Sequence, residues 1–275
     1  QMIRCPICHG SLGVEFEAEV LCRHKAIYDY CHSCGFLRAR NPQWLDEAYS
    51  NAIASTDTGL VMRNIDVARK LIKILLGVLD ERGQGRYCDI AGGYGMLTRL
   101  MRDHGLDFYW SDKYCDNLMA RGFEYMPELG PCSAVTAIEI MEHLEDPLGF
   151  VNEALARTRA KVFIFTTELF EGTPPAPSKW WYYSFETGQH IAFFQRRTLE
   201  RMAEKLGLFF ISEQGVHIFS REPIKSWRLK LVLGRFGNVL TCIARRALVG
   251  RAMSDHQRMK QLIISEEGIT HQSLS

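Results

Sequence analysis

The sequence has no long apolar run, no excess of either charge and no internal repetition, and each absence removes a class of protein. No stretch reaches the roughly 18 consecutive apolar residues that a spanning helix needs, and the N-terminus lacks a secretory pattern. A cytoplasmic protein is the expectation. Lys and Arg number 33 against 32 Asp and Glu, so the net charge of +1 gives no overall pull toward nucleic acid or anionic lipid. Without repeats or low-complexity segments, solenoids and biased linkers are excluded.

What is present is an ordinary globular balance. A chain of 275 residues with 47% hydrophobic and 24% charged residues can bury one medium α/β core and carry a small appendage. Nine cysteines would suit a secreted disulfide scaffold, but their placement argues otherwise. Four fall into two C-x-x-C pairs, Cys5-Pro-Ile-Cys8 and Cys31-His-Ser-Cys34, separated by 22 residues. Cys88, Cys115, Cys132 and Cys242 sit singly in or beside apolar stretches and read as small core residues. Two such pairs on tight turns can surround one ion with four thiolates, a closed and therefore structural zinc site. His9, Cys22, His24 and His32 lie near enough in sequence to replace one of the cysteines. The basic content of residues 1–40 is modest, so a structural or substrate-shaping ribbon is expected rather than one that docks nucleic acid.

Beyond Asn41-Pro42, which breaks the chain, Trp44 to Asn64 reads as short helices around a Ser/Thr/Gly loop. Ile65, Ala68, Leu71, Ile72, Leu75, Leu76 and Leu79 recur at helical spacing until Gly83-Gln84-Gly85. Strand-like runs then alternate with helical ones. The strands expected are Arg86–Ala91, Asp107–Ser111, Gly122–Tyr125, Ala134–Glu139 and Lys161–Thr166. The helices are Met96–His104, Cys115–Ala120 and Pro147–Thr158. This order predicts a parallel sheet with helices on both faces. A helix over Leu199–Leu206 and a hairpin of Leu208–Ser212 and Val216–Ser220 follow. Four segments result: a zinc ribbon at 1–40, a helical cap at 41–82, a Rossmann-like sheet at 83–222 and a basic helical extension at 223–275.

Within residues 221–251 eight Lys and Arg meet one acidic residue. Leu229, Val232, Leu233, Phe236, Leu240 and Ile243 share one helical face. Such a helix either packs on the domain with its basic face in water or contacts a membrane surface or an acidic substrate. Gly234 and Gly237 weaken both versions.

The segment Asp89-Ile-Ala-Gly-Gly-Tyr-Gly95 leaves the first strand, turns on glycines and opens a helix, the context that a nucleotide loop requires. An acidic residue at the strand end repels a pyrophosphate but suits a cationic amine. The stretch resembles the first motif of class I methyltransferases, Asp-x-Gly-x-Gly-x-Gly, with Ala91 where the first glycine is usual. A strand pattern of parallel strands and a late hairpin is also that of the class. Asp112, closing the next strand about 20 residues on, resembles the second motif, whose acid accepts from the two ribose hydroxyls. The alternative for Asp112 is a simple helix cap. The resemblance, over roughly residues 85–220, implies S-adenosylmethionine as cofactor and a binding set of Asp89, Ala91, Gly92, Gly93, Gly95, Asp112, Lys113 and Glu139.

After the fourth strand, Glu139-Ile-Met-Glu142-His143 resembles the Glu-x-x-Glu-His stretch of ubiquinone-biosynthesis and small-RNA 2′-O-methyltransferases. The resemblance implies that Glu139, Glu142, His143 and a later histidine, His190, can hold Mg²⁺ or another divalent ion. Carboxylates and imidazoles suit such ions, while the thiolates take the zinc. Alternatively His143 acts alone as general base, since an imidazole with pKa about 6.5 accepts protons near neutrality. A purely structural role is the third version. Glu142, His143 and His190 are the catalytic candidates.

Pro174 to Tyr183 forms a proline-stiffened loop bearing Trp180, Trp181, Tyr182 and Tyr183, which either stack on an acceptor or pack on the domain. The run from Trp180 through His190 to Phe194 resembles methyltransferases of bacterial glycan and natural-product biosynthesis. That resemblance implies a small-molecule, sugar or glycan hydroxyl as acceptor. The competing expectation is a methyltransferase-like binding module whose ribbon docks RNA or a protein, which a degraded cofactor loop would favour.

Overall fold

A computed structural model describes residues 3–49, 57–235, 237–239, 242, 246 and 248–272, with side-chain surroundings as far as 265. The N-terminal segment contributes three consecutive strands, β1 (Gly13–Val20), β2 (His24–Tyr30) and β3 (Leu37–Ala39), to a four-stranded sheet. The fourth strand, β8 (Ala192–Phe193), comes from the far side of the chain and completes the order β1-β2-β3-β8. Leu37 pairs with Phe193 and Arg38 with Ala192. A single helical turn, α1 (Leu45–Ala48), follows β3.

The centre of the molecule is a larger sheet. Its parallel part consists of β4 (Arg86–Ile90), β5 (Asp107–Ser111), β6 (Ala134–Ile138) and β7 (Val162–Thr166). β10 (Val216–Ser220) lies antiparallel to β7, and β9 (Phe209–Glu213) pairs with it at the edge. The order across the six strands is β5-β4-β6-β7-β10-β9. Gln214 and Gly215 both take positive φ, 49° and 75°, which is the two-residue turn whose twist matches a hairpin.

Alternation along the strands divides the core in two. Val162 and Ile164 face one side with Ile218, while Phe163 and Phe165 face the other with Phe219. The first side is covered by α2 (Leu60–Gly77), α3 (Met96–Asp103) and α6 (Ser226–Leu233), the second by α4 (Pro147–Thr158) and α5 (Arg196–Leu206). The Rossmann-like architecture with a terminal antiparallel hairpin is therefore present. α4 starts as its sequence directs, with Asp146 accepting from the Gly149 N–H and Pro147 in the first turn. In α5, Gln195 and Thr198 form a reciprocal cap, and Gly207 at φ 65° ends the helix.

Three local expectations fail for identifiable reasons. α2 ends at Gly77 rather than near Gly83, because α6 crosses there: a Cβ on Gly77 would lie 2.5 Å from Val232 Cγ1. Residues 115–120 form no helix, since side chains capture the backbone groups a helix would use. Asp112 accepts from the N–H groups of Tyr114 and Cys115, and Asn117 both accepts from and donates to the backbone of Ala120. Gly122–Tyr125 is reduced to a single parallel bridge, Trp110 to Glu124, before Pro127 opens a short 3₁₀ turn.

In the C-terminal extension, Leu229, Val232 and Leu233 are buried against the sheet's helical layer, as a packed helix requires. Phe236, Leu240 and Ile243, which complete the expected apolar face, lie outside the described residues. The last helix, α7 (Ala252–Gln272), packs Met259 against the core and adds a buried ion pair. Arg102, on α3 and 2% exposed, donates from Nε and Nη2 to the two oxygens of Asp255 at 2.7 Å each, and Arg99 adds a third bond at 2.8 Å. Arg102 also lies over the Phe123 ring at 3.7 Å. Burial raises the Asp255 carboxyl, but the Arg102 and Arg99 bonds outweigh it and hold it below the usual carboxylate range. Asp255→Ala leaves Arg102 buried with its best partner gone, and should cost about 3–5 kcal/mol in denaturant unfolding near neutral pH. Because the folded value is depressed, this stabilisation is complete above the unfolded value near 4 and is lost as pH falls through the folded one. The gap between wild type and variant should therefore close in acid; a gap that persists there would contradict the ion pair.

Candidate active site

The glycine turn lies between the end of β4 and the start of α3, at the carboxyl edge of the parallel strands. Its peptide planes are fixed from two sides. The Gly93 N–H donates to Asp112 at 2.9 Å, and the Trp110 indole donates to the Gly93 carbonyl at 2.8 Å. A Cβ on Gly92 would come within 2.9 Å of both Asp89 and Trp110, so only glycine lets the loop lie this low. Gly95 caps α3 at φ 86°. Ala91, where the motif prefers glycine, is itself in the left-handed region at φ 55°.

Asp89 is 3% exposed and accepts from the Thr136 hydroxyl at 2.6 Å. Burial pushes its carboxyl up to about 7, against the opposing Thr136 bond and with help from the charge of Asp112. A cation seated on the loop would relieve that cost. Asp112 stands beside the loop as expected and also acts as a cap, holding the backbone of Gly93, Tyr114 and Cys115. Lys113 does not join this group. Its ammonium is ion-paired with Glu153 at 3.0 Å on the exposed surface.

One strand over, β6 ends and Glu139 takes a left-handed φ of 51°, which turns the chain into a 3₁₀ turn over Met141–His143. That turn and the loop before β8 bring Glu142, His143 and His190 together, with one ligand atom from each within 4.8 Å of the others. Among the described residues this group does not include Glu139, whose carboxylate instead accepts from the Tyr182 hydroxyl at 3.5 Å. The two imidazoles meet edge to face, ring centroids 4.8 Å apart. His190 donates from Nδ1 to the Tyr182 carbonyl at 2.6 Å, which leaves Nε2 as its free nitrogen. His143 places Nε2 3.9 Å from Glu142 Oε1 and Nδ1 2.9 Å from the Tyr49 hydroxyl.

Glu142 is fully buried, and neither of its oxygens has a hydrogen-bond partner. Burial first, and then the charge of Glu139, push its carboxyl well above the usual range. The Tyr182 and Thr167 hydroxyls pull the other way but bond to each other at 3.2 Å rather than reaching the carboxylate at hydrogen-bond distance. Burial, reinforced by His190, lowers His143 to about 3, and burial also lowers His190. Both rings are therefore neutral at physiological pH. The buried acid thus faces two neutral imidazoles, and the nearby cation that acts on all three, Arg63, is itself paired with Asp57 at 2.7 Å.

At the other end of the four-stranded sheet the thiols of Cys5, Cys8, Cys31 and Cys34 converge. Cys5 and Cys34 approach to 3.6 Å and Cys8 and Cys31 to 3.4 Å, far beyond a disulfide and close to the roughly 3.8 Å edge of a zinc–thiolate tetrahedron. Sharing the Cys34 thiol draws Cys5 down to about 5, whereas Cys34 itself is pushed up. The alternative ligands are elsewhere: Cys22 is exposed, His24 bonds Glu47, and His9 bonds Lys205.

Residues 63–213, more than half of the chain, match the family model described as a methyltransferase domain. The chain belongs to that family. Its larger sheet keeps a parallel part closed by an antiparallel hairpin, and a four-cysteine unit precedes it. Solved structures of similar fold include TnmH, 16% identical with a TM-score of 0.45 over 66% of this chain and 62% of that one. Another is an O-methyltransferase family 2 protein from Planctomyces limnophilus in complex with apigenin, 10% identical, TM-score 0.42, covering 66% of each chain. A third is the mitomycin 7-O-methyltransferase MmcR, 14% identical, TM-score 0.41, covering 64% of this chain and 59% of that one. The methyltransferase spans 62% of the length of TnmH. No curated protein matches it.

Several residues of the methyltransferase that shape these sites carry no motif. Trp110 and Thr136 belong to strands whose apolar pattern hides their polar contacts with the loop. The aromatic run after Pro177 is mostly core: Tyr182 and Tyr183 are 2% and 1% exposed, and only Trp181, at 78%, faces solvent. No helix among the described residues is long and apolar enough to cross a membrane. The strain at Ala91 gives a direct check. Glycine has no Cβ penalty in the left-handed region, so Ala91→Gly should raise the unfolding free energy by up to about 1 kcal/mol. A loss of that size in thermal or denaturant unfolding would show that Ala91 is relaxed.

Proposed function

We propose that the enzyme methylates a hydroxyl oxygen of a sugar, glycan or related small molecule, working on it with Glu142, His143 and His190. Asp89, Ala91, Gly92, Gly93, Gly95 and Asp112 hold S-adenosylmethionine, with Asp89 toward its amine and Asp112 toward its ribose; Lys113 and Glu139 follow the ends of β5 and β6, with the Lys113 ammonium on Glu153 and the Glu139 carboxylate on the Tyr182 hydroxyl. When bound, the cofactor supplies an electrophilic methyl group on a sulfonium. The protein aligns the acceptor with that group, excludes water and takes the acceptor's proton.

The observation that carries the reading is the unpartnered carboxylate of Glu142. A fully buried acid without a hydrogen bond costs several kcal/mol unless a proton or a cation meets it. His190, tied through Nδ1 to the Tyr182 carbonyl, keeps its Nε2 lone pair free, and His143 sets its Nε2 3.9 Å from Glu142, an arrangement suited to histidines that hold a metal. Glu142, His143 and His190 therefore fit a divalent ion such as Mg²⁺ or Mn²⁺, which would acidify a coordinated hydroxyl. The four thiolates would keep a structural zinc. A sugar is favoured by the cleft at Trp181, a cavity of about 370 Å³ lined also by Ser178, Lys179, Ser184 and Glu186. An exposed indole suits the C–H face of a sugar ring, and the polar rim suits its hydroxyls.

The test is methyl transfer to nucleotide sugars and glycan fragments, read by mass as the gain of one methyl, before and after mild chelation. Chelation mild enough to leave about one zinc per chain should abolish transfer, and Mn²⁺ or Mg²⁺ should restore it. His190→Ala and Glu142→Ala should each lower the rate by at least about a hundredfold and remove the metal response. Full activity after chelation, with only His143→Ala severe, would replace the ion by a lone histidine base.

A further inference from the structure

One helical turn after β3 is bonded to the two residues ahead of His190 and leads directly into a contact with His143. Ahead of α1, Trp44 donates its indole N–H to the Gly188 carbonyl at 2.8 Å. At its end, the Ala48 carbonyl accepts from the Gln189 side chain at 2.8 Å. These two bonds seize the residues immediately before His190. Directly after the turn, the Tyr49 hydroxyl reaches His143 Nδ1 at 2.9 Å across 94 residues of sequence. The turn is itself fixed from behind, because Glu47 accepts from His24 at 2.9 Å and pairs with Arg23.

The hydroxyl of Tyr49 has a consequence for the ring it holds. A neutral imidazole carries one proton, and the nitrogen that keeps it decides which nitrogen can act. His190 resolves this through the Tyr182 carbonyl, which can only accept. At His143 the inward nitrogen is Nε2, facing Glu142. Whether His143 holds an ion or takes a proton, it needs the lone pair on Nε2, and so it needs the proton on Nδ1. A phenolic oxygen at hydrogen-bond distance can accept that proton and stabilise the required tautomer.

We infer that Tyr49 is a positioning residue for methyl transfer: its hydroxyl accepts the Nδ1–H of His143 and keeps Nε2 unprotonated toward Glu142 and His190. This rests on the reading that the three residues work on the acceptor hydroxyl. It also gives the N-terminal unit a task at the active centre, since Tyr49 would complete for His143 what Tyr182 does for His190. Tyr49→Phe keeps the ring and removes one oxygen, the one that meets His143 Nδ1 at 2.9 Å.

Nitrogen NMR of the full chain labelled at histidine, with zinc in place, separates the tautomers without knowing the acceptor. Wild type should show His143 protonated at Nδ1, and Tyr49→Phe should show a mixture or the other tautomer. Mn²⁺ titrated into each protein and followed by electron paramagnetic resonance should bind the variant about ten- to a hundredfold more weakly, the usual loss when a partner of a metal-bound histidine is removed. Zinc content and unfolding midpoint should not change, which excludes a general structural effect. Identical His143 spectra in the two proteins would overturn the inference. If wild type binds no Mn²⁺ but the tautomer still shifts in the variant, the role of Tyr49 stands and the ion is lost.

Discussion

The pairing of β3 with β8 is the contact on which the arrangement of the acceptor side depends. β3 starts three residues after Cys34, and β8 starts two residues after His190. Joining them makes the four-cysteine unit and the catalytic edge parts of one sheet. Further bonds follow the same line. The Ala39 N–H donates to the Ile191 carbonyl, the Ile191 N–H to the Glu142 carbonyl, and the Leu21 N–H to the Phe185 carbonyl. A loop that would otherwise be free to move is thereby registered against a rigid template, as a group that must hold sub-ångström geometry needs.

That template depends in turn on its own charge. Four thiols within 4.8 Å cannot all ionise without a cation: their contact draws Cys5 down and pushes Cys34 up. Thr198 donates to the Cys34 carbonyl, and Arg197 bonds Tyr30 and the His32 carbonyl, so α5 is tied to the second cysteine turn. The same electrostatic theme recurs at Glu142 and Asp89, buried acids that await a positive partner. The opposite solution appears at Arg102 and Asp255, where the partner is built in and the contact holds α7 in place.

What the sequence revealed and what it hid follow from range. The glycine turn, the two cysteine pairs, the α2 stripe and the hairpin are local patterns, set by spacing over a few residues. The Glu-x-x-Glu-His stretch was legible as a motif, but the distances within it were not: Glu142 lies within 4.8 Å of both histidines, while Glu139 meets the Tyr182 hydroxyl beside them. β8 has two residues and no periodicity, and it exists only because β3 offers an edge. Tyr49 lies beside no motif, and its partner is distant in sequence. Trp180 to Tyr183 read as either a stacking surface or a packed one, because aromatic content does not tell burial from exposure. The helix expected at 115–120 was lost to side-chain bonds of Asp112 and Asn117 that no hydrophobic pattern records.

The central claim is that the loop from Asp89 to Gly95, with Asp112, binds S-adenosylmethionine through a buried acid that must lose its proton to receive the cofactor's amine. Calorimetric titration of the full chain with S-adenosylmethionine at pH 6 and pH 7.5 tests it most directly. With the Asp89 carboxyl pushed up to about 7, binding should be one to one at both values. It should be several-fold weaker at pH 6, where a proton must be expelled. In Asp112→Ala, affinity should fall by at least about tenfold at either pH. No binding heat at either pH, or binding that ignores both the pH and Asp112, would contradict the account.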